Sequence, residues 1–376
     1  MLNKANLRLR ILIASLVAFA LFCLPAVSGY AAETFINQEA TGKINPVVYE
    51  QFELIINDFI GQDTELRNWE LLDQQINHIA SAQSGQDVSI TFHIERKHLL
   101  KFAKAEDSPA LKGRLKYIQN NGKQLSANAL AKANKEIEIW KRDLNEYITT
   151  PQHCSDHIKV TATLDANDKV IPDTIKFYAE DPVGNFLPTR LQDIPSNETV
   201  EQNAFDTIKE NVITQEGMVE PSAIVNYDRI AARDYVRKWV ANTSKPCEPD
   251  SETVQDKSNY NPAYTAYTCN DCANFVSQGL NAGGIPTDST WKPYTSAWIN
   301  VTSQANYMVA KTYWIATTNL NDCVAGFPFR IKSYEHVMMM SYNDGTTRKY
   351  CGHSSDRYDE KWTGGTANAY YYRINY

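Results

Sequence analysis

The run Asn270-Asp271-Cys272-Ala273-Asn274-Phe275-Val276-Ser277-Gln278-Gly279-Leu280 decides how this 376-residue chain is read. Gly283-Gly284 closes it as a helix stop, and Asp271 reads as the cap at its start. Cys272 then falls in the first turn. Unpaired backbone N–H groups and the helix dipole favour a thiolate there, so a lowered thiol pKa is expected. The same N–H groups can hold an oxyanion. Taken alone, a buried cysteine is a small hydrophobe. Its partners elsewhere in the chain decide between the two readings.

Three further pieces fit around this helix. In the first, Tyr227, Ala231, Tyr235 and Trp239 recur at helical spacing, and Asp228 stands at the helix start, where a carboxylate suits the dipole. The second is Glu335-His336 followed by the apolar run Val337-Met338-Met339-Met340, which ends in the turn residues Asn343-Asp344-Gly345. It reads as a buried strand with His336 at its beginning. The third is the return strand from Arg348 to Ser354, carrying His353. In a hairpin the two strands lie side by side, so His353 is expected to hydrogen-bond His336 and fix its tautomer. Asp356 is the alternative orienting group, and Asn274 sits too near the cysteine on its own helix. A cysteine at a helix start and a histidine at a strand start make the layout a cysteine hydrolase needs.

The octad Asp-Cys-Ala-Asn-Phe-Val-Ser-Gln at 271–278 resembles the signature of the bacterial putative amidase domain family, whose usual third residue is Thr. Tyr227-Asp228-Arg229 with Ala231-Ala232, Gly283-Gly284, Trp291, Ser296-Ala297-Trp298, His336-Val337, and His353 with Asp356-Arg357 resemble its other landmarks, in order, over about residues 225–376. The chain departs from the pattern at Cys269-Asn270, where a Gly usually precedes Asp-Cys, and before His336, where a Gly-Asp pair and a Trp are missing. The resemblance implies a papain-like fold related to the NlpC-type and CHAP-type cell-wall hydrolases. It also implies the catalytic set Cys272 as nucleophile, His336 as base and His353 as third residue. No cofactor is implied, and the expected partner is a peptide or cell-wall amide.

Rival readings come from the same region. A non-catalytic wall- or carbohydrate-binding protein would use Trp291, Tyr294, Trp298, Tyr307, Tyr313 and Trp314 as its surface, although core packing is the plainer role for most of these rings. Cys269 and Cys272 form a C-x-x-C pair, but the βαβ context of a redox motif is lacking. As half of a zinc site the pair would need Cys351 and His353, and closed sites carry tighter ligand pairs on both sides. Disulfide partners do not follow from sequence: Cys269 with Cys272, Cys323 with Cys351, and Cys154 with Cys247 are the candidates.

Outside residues 225–376 the chain opens with Lys4, Arg8 and Arg10, an apolar run from Ile11 to Phe22, and small residues through Ala32. This is the layout of a secretory signal peptide, assigned to 1–31. The run is short for a membrane span. The expectation is a secreted or cell-envelope protein with no membrane span in its mature form. Net charge is −7, and removal of the leader's three basic residues makes it more negative still. Nothing favours nucleic-acid binding, which needs a basic footprint. Residues 33–186 read as an N-terminal α+β domain. It starts with a helix at Asn45-Pro46 and a second helix from Glu65 to Ala82. A strand at 88–94, a helix at 124–148 and a hairpin at 158–179 follow. The histidines at 93, 98, 153 and 157 lack metal spacing and read as surface or satisfied side chains. Residues 187–224 read as a linker with one short helix near 205–212. The fold class expected is α+β, with a papain-like cysteine hydrolase domain after the N-terminal one.

Overall fold

The computed structural model describes residues 44–182, 184–216, 226–241, 259–267, 269–365 and 367–376. The expected leader, Cys23 and Cys247 lie outside these residues. The described residues belong to one compact unit, 40–376.

Helix α1 (Pro46–Leu66) begins where Asn45 accepts the Val47 N–H at 3.0 Å and Pro46 presets the first turn. Its stripe of Val48, Phe52, Ile56 and Phe59 is buried against Val88, Ile90 and Phe92, a core of its own. The expected second helix is a strand instead. β1 (Trp69–Ser84) pairs antiparallel with β2 (Asp87–Leu100) along its whole length, with two bulges, around a tight turn at Gly85. Its residues are good helix formers, but pairing with β2 overrides local preference, as is common for edge strands. Helices α2 (Pro109–Asn121) and α3 (Ala127–Thr149) follow. Ala133, Ile137, Trp140 and Leu144 bury the α3 face that the spacing predicts.

β3 (Gln152–Thr163) pairs with β2 on one side and with β4 (Lys176–Glu180) on the other, and β4 carries the short β5 (Phe186–Pro188). The stretch read as a linker holds a full helix, α4 (Asn197–Glu216), packed against α2 and α3. Its buried residues Val200, Ala204, Ile208 and Val212 recur at helical spacing, a pattern interrupted in the sequence by polar neighbours.

Helix α5 (Arg229–Lys238) and helix α6 (Cys272–Ala282) open the second half. The short α7 (Ser296–Ile299) and α8 (Val301–Ala310) come next. Six strands then complete the fold: β6 (Trp314–Thr317), β7 (Pro328–Ile331), β8 (Val337–Asn343), β9 (Arg348–Gly352), β10 (Arg357–Lys361) and β11 (Ala369–Ile374). The strand order is β1-β2-β3-β10-β9-β8-β7-β11-β6, with β4 and β5 branching from β3. One mixed sheet therefore crosses both halves.

Buried charges join the halves. On α5, Arg229 pairs with Asp143 and Arg233 with Glu146, both on α3, and Arg237 reaches Asp359 and Gln152. The buried face of α5 is thus Arg229, Ala232, Arg233 and Val236, not the expected stripe through Ala231 and Tyr235. Long arginine stems pack as apolar surface while carboxylates satisfy their heads. His98 and His157 are buried and His93 and His153 half-buried, and His98 and the His153 carbonyl hold the buried Lys349 ammonium, whose pKa burial lowers to about 8.

Candidate active site

Cys272 occupies the first position of α6, as its spacing predicts, and is 5% exposed. Gly283 ends the helix where Tyr227 and Ala232 leave no room for a side chain, and Gly284 follows in the left-handed region. Asp271 stands at the cap position but does not cap the helix with its side chain. Its carboxylate accepts instead from Tyr267 N–H, Asn274 Nδ2 and His353 Nδ1, at 2.9, 2.9 and 2.7 Å.

The thiol pKa is raised, against expectation. Burial is the largest cause, and the N–H groups of Val337 and Ala273 and the Ser354 hydroxyl offset it only in part. A helix start lowers a thiol pKa where water reaches the sulfur; here the protein interior encloses it. The polar groups facing the sulfur are nevertheless those an anion needs. Ser354 holds a left-handed backbone (φ 87°), unusual for a side-chain-bearing residue, and its hydroxyl accepts the Asp271 N–H at 3.1 Å.

His336 lies immediately before β8, one residue from the Val337 N–H that faces the sulfur. Burial, then the charge of Arg357, lowers its pKa to about 4, so the imidazole is neutral at neutral pH. Among the described residues its ring makes no hydrogen bond to Cys272 or His353. The reason is register. Met339 pairs with Cys351, so Met338 faces Gly352 and Val337 faces His353. The pleat then puts His336 on the face of Met338 and Gly352, and its Nε2 lies 3.9 Å from where a Gly352 Cβ would sit. His353 takes the opposite face, towards α6.

The expected His336–His353 hydrogen bond is therefore not formed. His353 Nδ1 lies 2.7 Å from the Asp271 carboxylate and Nε2 lies 2.7 Å from the Trp239 carbonyl oxygen. Its ring is sandwiched between Tyr260 and Phe275, with centroids 3.9 and 3.6 Å away and planes 11° and 13° off parallel. Asp356 accepts from the Tyr260 hydroxyl at 2.8 Å, and burial raises its pKa to about 6. Asp271, Trp239, Tyr260 and Ser354 were not singled out as site residues by sequence reasoning. The compact run Cys-Gly-His-Ser-Ser-Asp-Arg at 351–357 was the signal for one of them, Ser354.

The other polar residues of the octad are scaffold. Asn274 accepts from Trp298 Nε1 and donates to Thr265 O. Ser277 accepts from Trp291 Nε1 and Gln304 Nε2 and donates to Trp298 O. Gln278 accepts from the Tyr235 hydroxyl. Trp291, Trp298 and Trp314 are fully buried, which removes them from any binding surface. Cys269 is disulfide-bonded while Cys154, Cys272, Cys323 and Cys351 are free. That overturns all three candidate pairings, and with them the 269–272 redox pair. It also removes Cys269 from any zinc set.

With this geometry in place, comparison with known proteins adds a class. Residues 226–375 match the family model described as a putative amidase domain, a match that suggests amide hydrolysis for this part of the chain. The uncharacterized protein YjcM of Bacillus subtilis (strain 168) is 30% identical over 105 residues, 28% of this chain and 20% of that protein. The chain thus spans about a fifth of that relative. No solved structure matches. No helix among the described residues is long and apolar enough to cross a membrane.

Proposed function

We propose that the chain is an exported cysteine amide hydrolase of papain-like architecture acting on peptide amides, with cell-wall peptide as the substrate class. The observation that carries this reading is the enclosure of the Cys272 sulfur, at a helix start, by the N–H groups of Ala273 and Val337, within the region matching the amidase model. In the proposed reaction the Cys272 sulfur attacks the amide carbonyl. Those N–H groups stabilise the oxyanion. A neutral histidine takes the thiol proton and returns it to the leaving amine, and water then hydrolyses the thioester.

His336 is the base in this proposal. It is neutral at working pH and adjoins Val337, whose N–H faces the sulfur. His353 is a positioning residue that locks Asp271 and the start of α6. A second reading makes His353 the base, favoured by its carboxylate partner. The basic, apolar and small-residue opening at 1–31 supports export. The test compares released amines from wall peptides for the wild type, His336→Ala and His353→Ala. The first reading expects His336→Ala to lose nearly all activity and His353→Ala to retain a measurable part. The reverse order would transfer the base role to His353.

A further inference from the structure

The sheet has a seam where its halves meet. β10 runs parallel to β3 with a single registered pair, Glu360 and Ser155, whereas β2 and β3 pair continuously from Asp87–Thr163 to His98–Gln152. Three side chains from three strands converge beside that seam. His157 of β3 places Nδ1 3.1 Å from Glu360 Oε1 of β10 and 3.4 Å from Glu180 Oε2 of β4. One ligand atom from each lies within 4.8 Å of the others. The group is sheltered: Glu360 is 2% exposed, and the His93 ring stacks on His157 at 4.5 Å, 4° from parallel.

The hydrogen bonding of this group does not close. Nδ1 carries at most one hydrogen and faces two carboxylates. Glu360 Oε2 is buried and accepts no hydrogen bond among the described residues. An acceptor left this way costs about 1–3 kcal/mol, and more when charged. Arg357 Nη2, 3.4 Å from Glu180 Oε2, offsets one of the two negative charges.

We propose that His157, Glu180 and Glu360 form a divalent-cation site that clamps the N-terminal strands to β10. One imidazole nitrogen and two carboxylates, with water as a further ligand, suit zinc or another first-row ion. The cation takes the place of the Nδ1 hydrogen, and bidentate binding by Glu360 would bring its orphaned Oε2 to the same ion. The ligands lie 23 and 180 residues apart in the chain, on three strands, so no sequence spacing announces them.

The test uses the full chain after chelator treatment, titrated with Zn²⁺ by calorimetry and with Co²⁺ by visible absorption. The proposal expects one saturable equivalent, a rise in melting temperature on binding, and an intense visible cobalt band of low coordination number. Glu180→Gln and Glu360→Gln should each weaken binding at least about tenfold. Glu180 is the more exposed of the two, so its variant keeps the test open if the Glu360 variant does not fold. No saturable binding, a weak six-coordinate cobalt spectrum, or affinity unchanged in Glu180→Gln would each overturn the site.

Discussion

Replacing Asp143 with Ala tests whether the two halves are one folding unit. Asp143 is on α3, in the region before the amidase match, and Arg229 is on α5, inside it. Both are 2% exposed or less, and Arg229 also donates to the carbonyls of Ala325 at 3.0 Å and Ile139 at 3.4 Å. Two carbonyls do not neutralise a guanidinium, so the variant leaves a buried charge uncompensated at a cost of about 3–5 kcal/mol. A unit of this size unfolds with an entropy of roughly 0.7 kcal/mol/K, which converts that loss to a fall of about 4–7 °C in melting temperature. The double variant Asp143→Ala with Arg229→Met removes both charges and should recover about half of the loss or more. Thermal and urea unfolding followed by circular dichroism read both quantities. A single-variant loss under about 1 kcal/mol, or a double variant less stable than the sum of the singles, would refute the reasoning. By the same logic residues 226–376 expressed alone should not give a cooperative transition.

Three other outcomes follow from the geometry. His336 titrates near 4 when folded against about 6.5 unfolded, so the unfolded chain binds the extra proton in that window. Stability should fall by roughly 3 kcal/mol as pH drops from 6.5 to 4 and then level off for this group; a His336→Gln variant with an unchanged pH–stability slope would contradict this. Gly326 has φ +89° and a Cβ there would lie 2.1 Å from the Arg229 carbonyl oxygen, so Gly326→Ala should cost at least about 2 kcal/mol by denaturant titration, and a neutral result would count against the packing described. Because burial raises the Cys272 thiol pKa, iodoacetamide labelling should be slow at pH 7 and still rising above pH 9, and a rate already saturated at pH 7 would mean a free thiolate.

Patterns set by a single element were legible in the sequence. The first-turn position of Cys272, the helix over 127–149 and the β8–β9 hairpin all follow from spacing and turn residues within one short stretch. What depended on partners far along the chain was not. β1 is a strand because β2 lies beside it. Arg229 and Arg233 are interior because α3 supplies Asp143 and Glu146. The raised thiol pKa comes from burial of the sulfur, which no helix-start argument contains. The partner of His353 was missed for a geometric reason: neighbouring strands were foreseen but not their register, and a one-residue shift moves a side chain to the other face. Asp271, read as a cap, was free to bond His353 because the cap position left its side chain for other partners.

The central claim is that Cys272 is the nucleophile of an amide hydrolase. The most direct measurement is mass spectrometry of the protein quenched during turnover of a wall peptide or an activated amide analogue, run beside Cys272→Ala. The account predicts an acyl adduct of substrate mass on the peptide containing Cys272, lost on hydroxylamine treatment as a thioester should be, with no adduct and no released amine from the variant. An adduct on another residue, or amine release by Cys272→Ala near the wild-type rate, would contradict it.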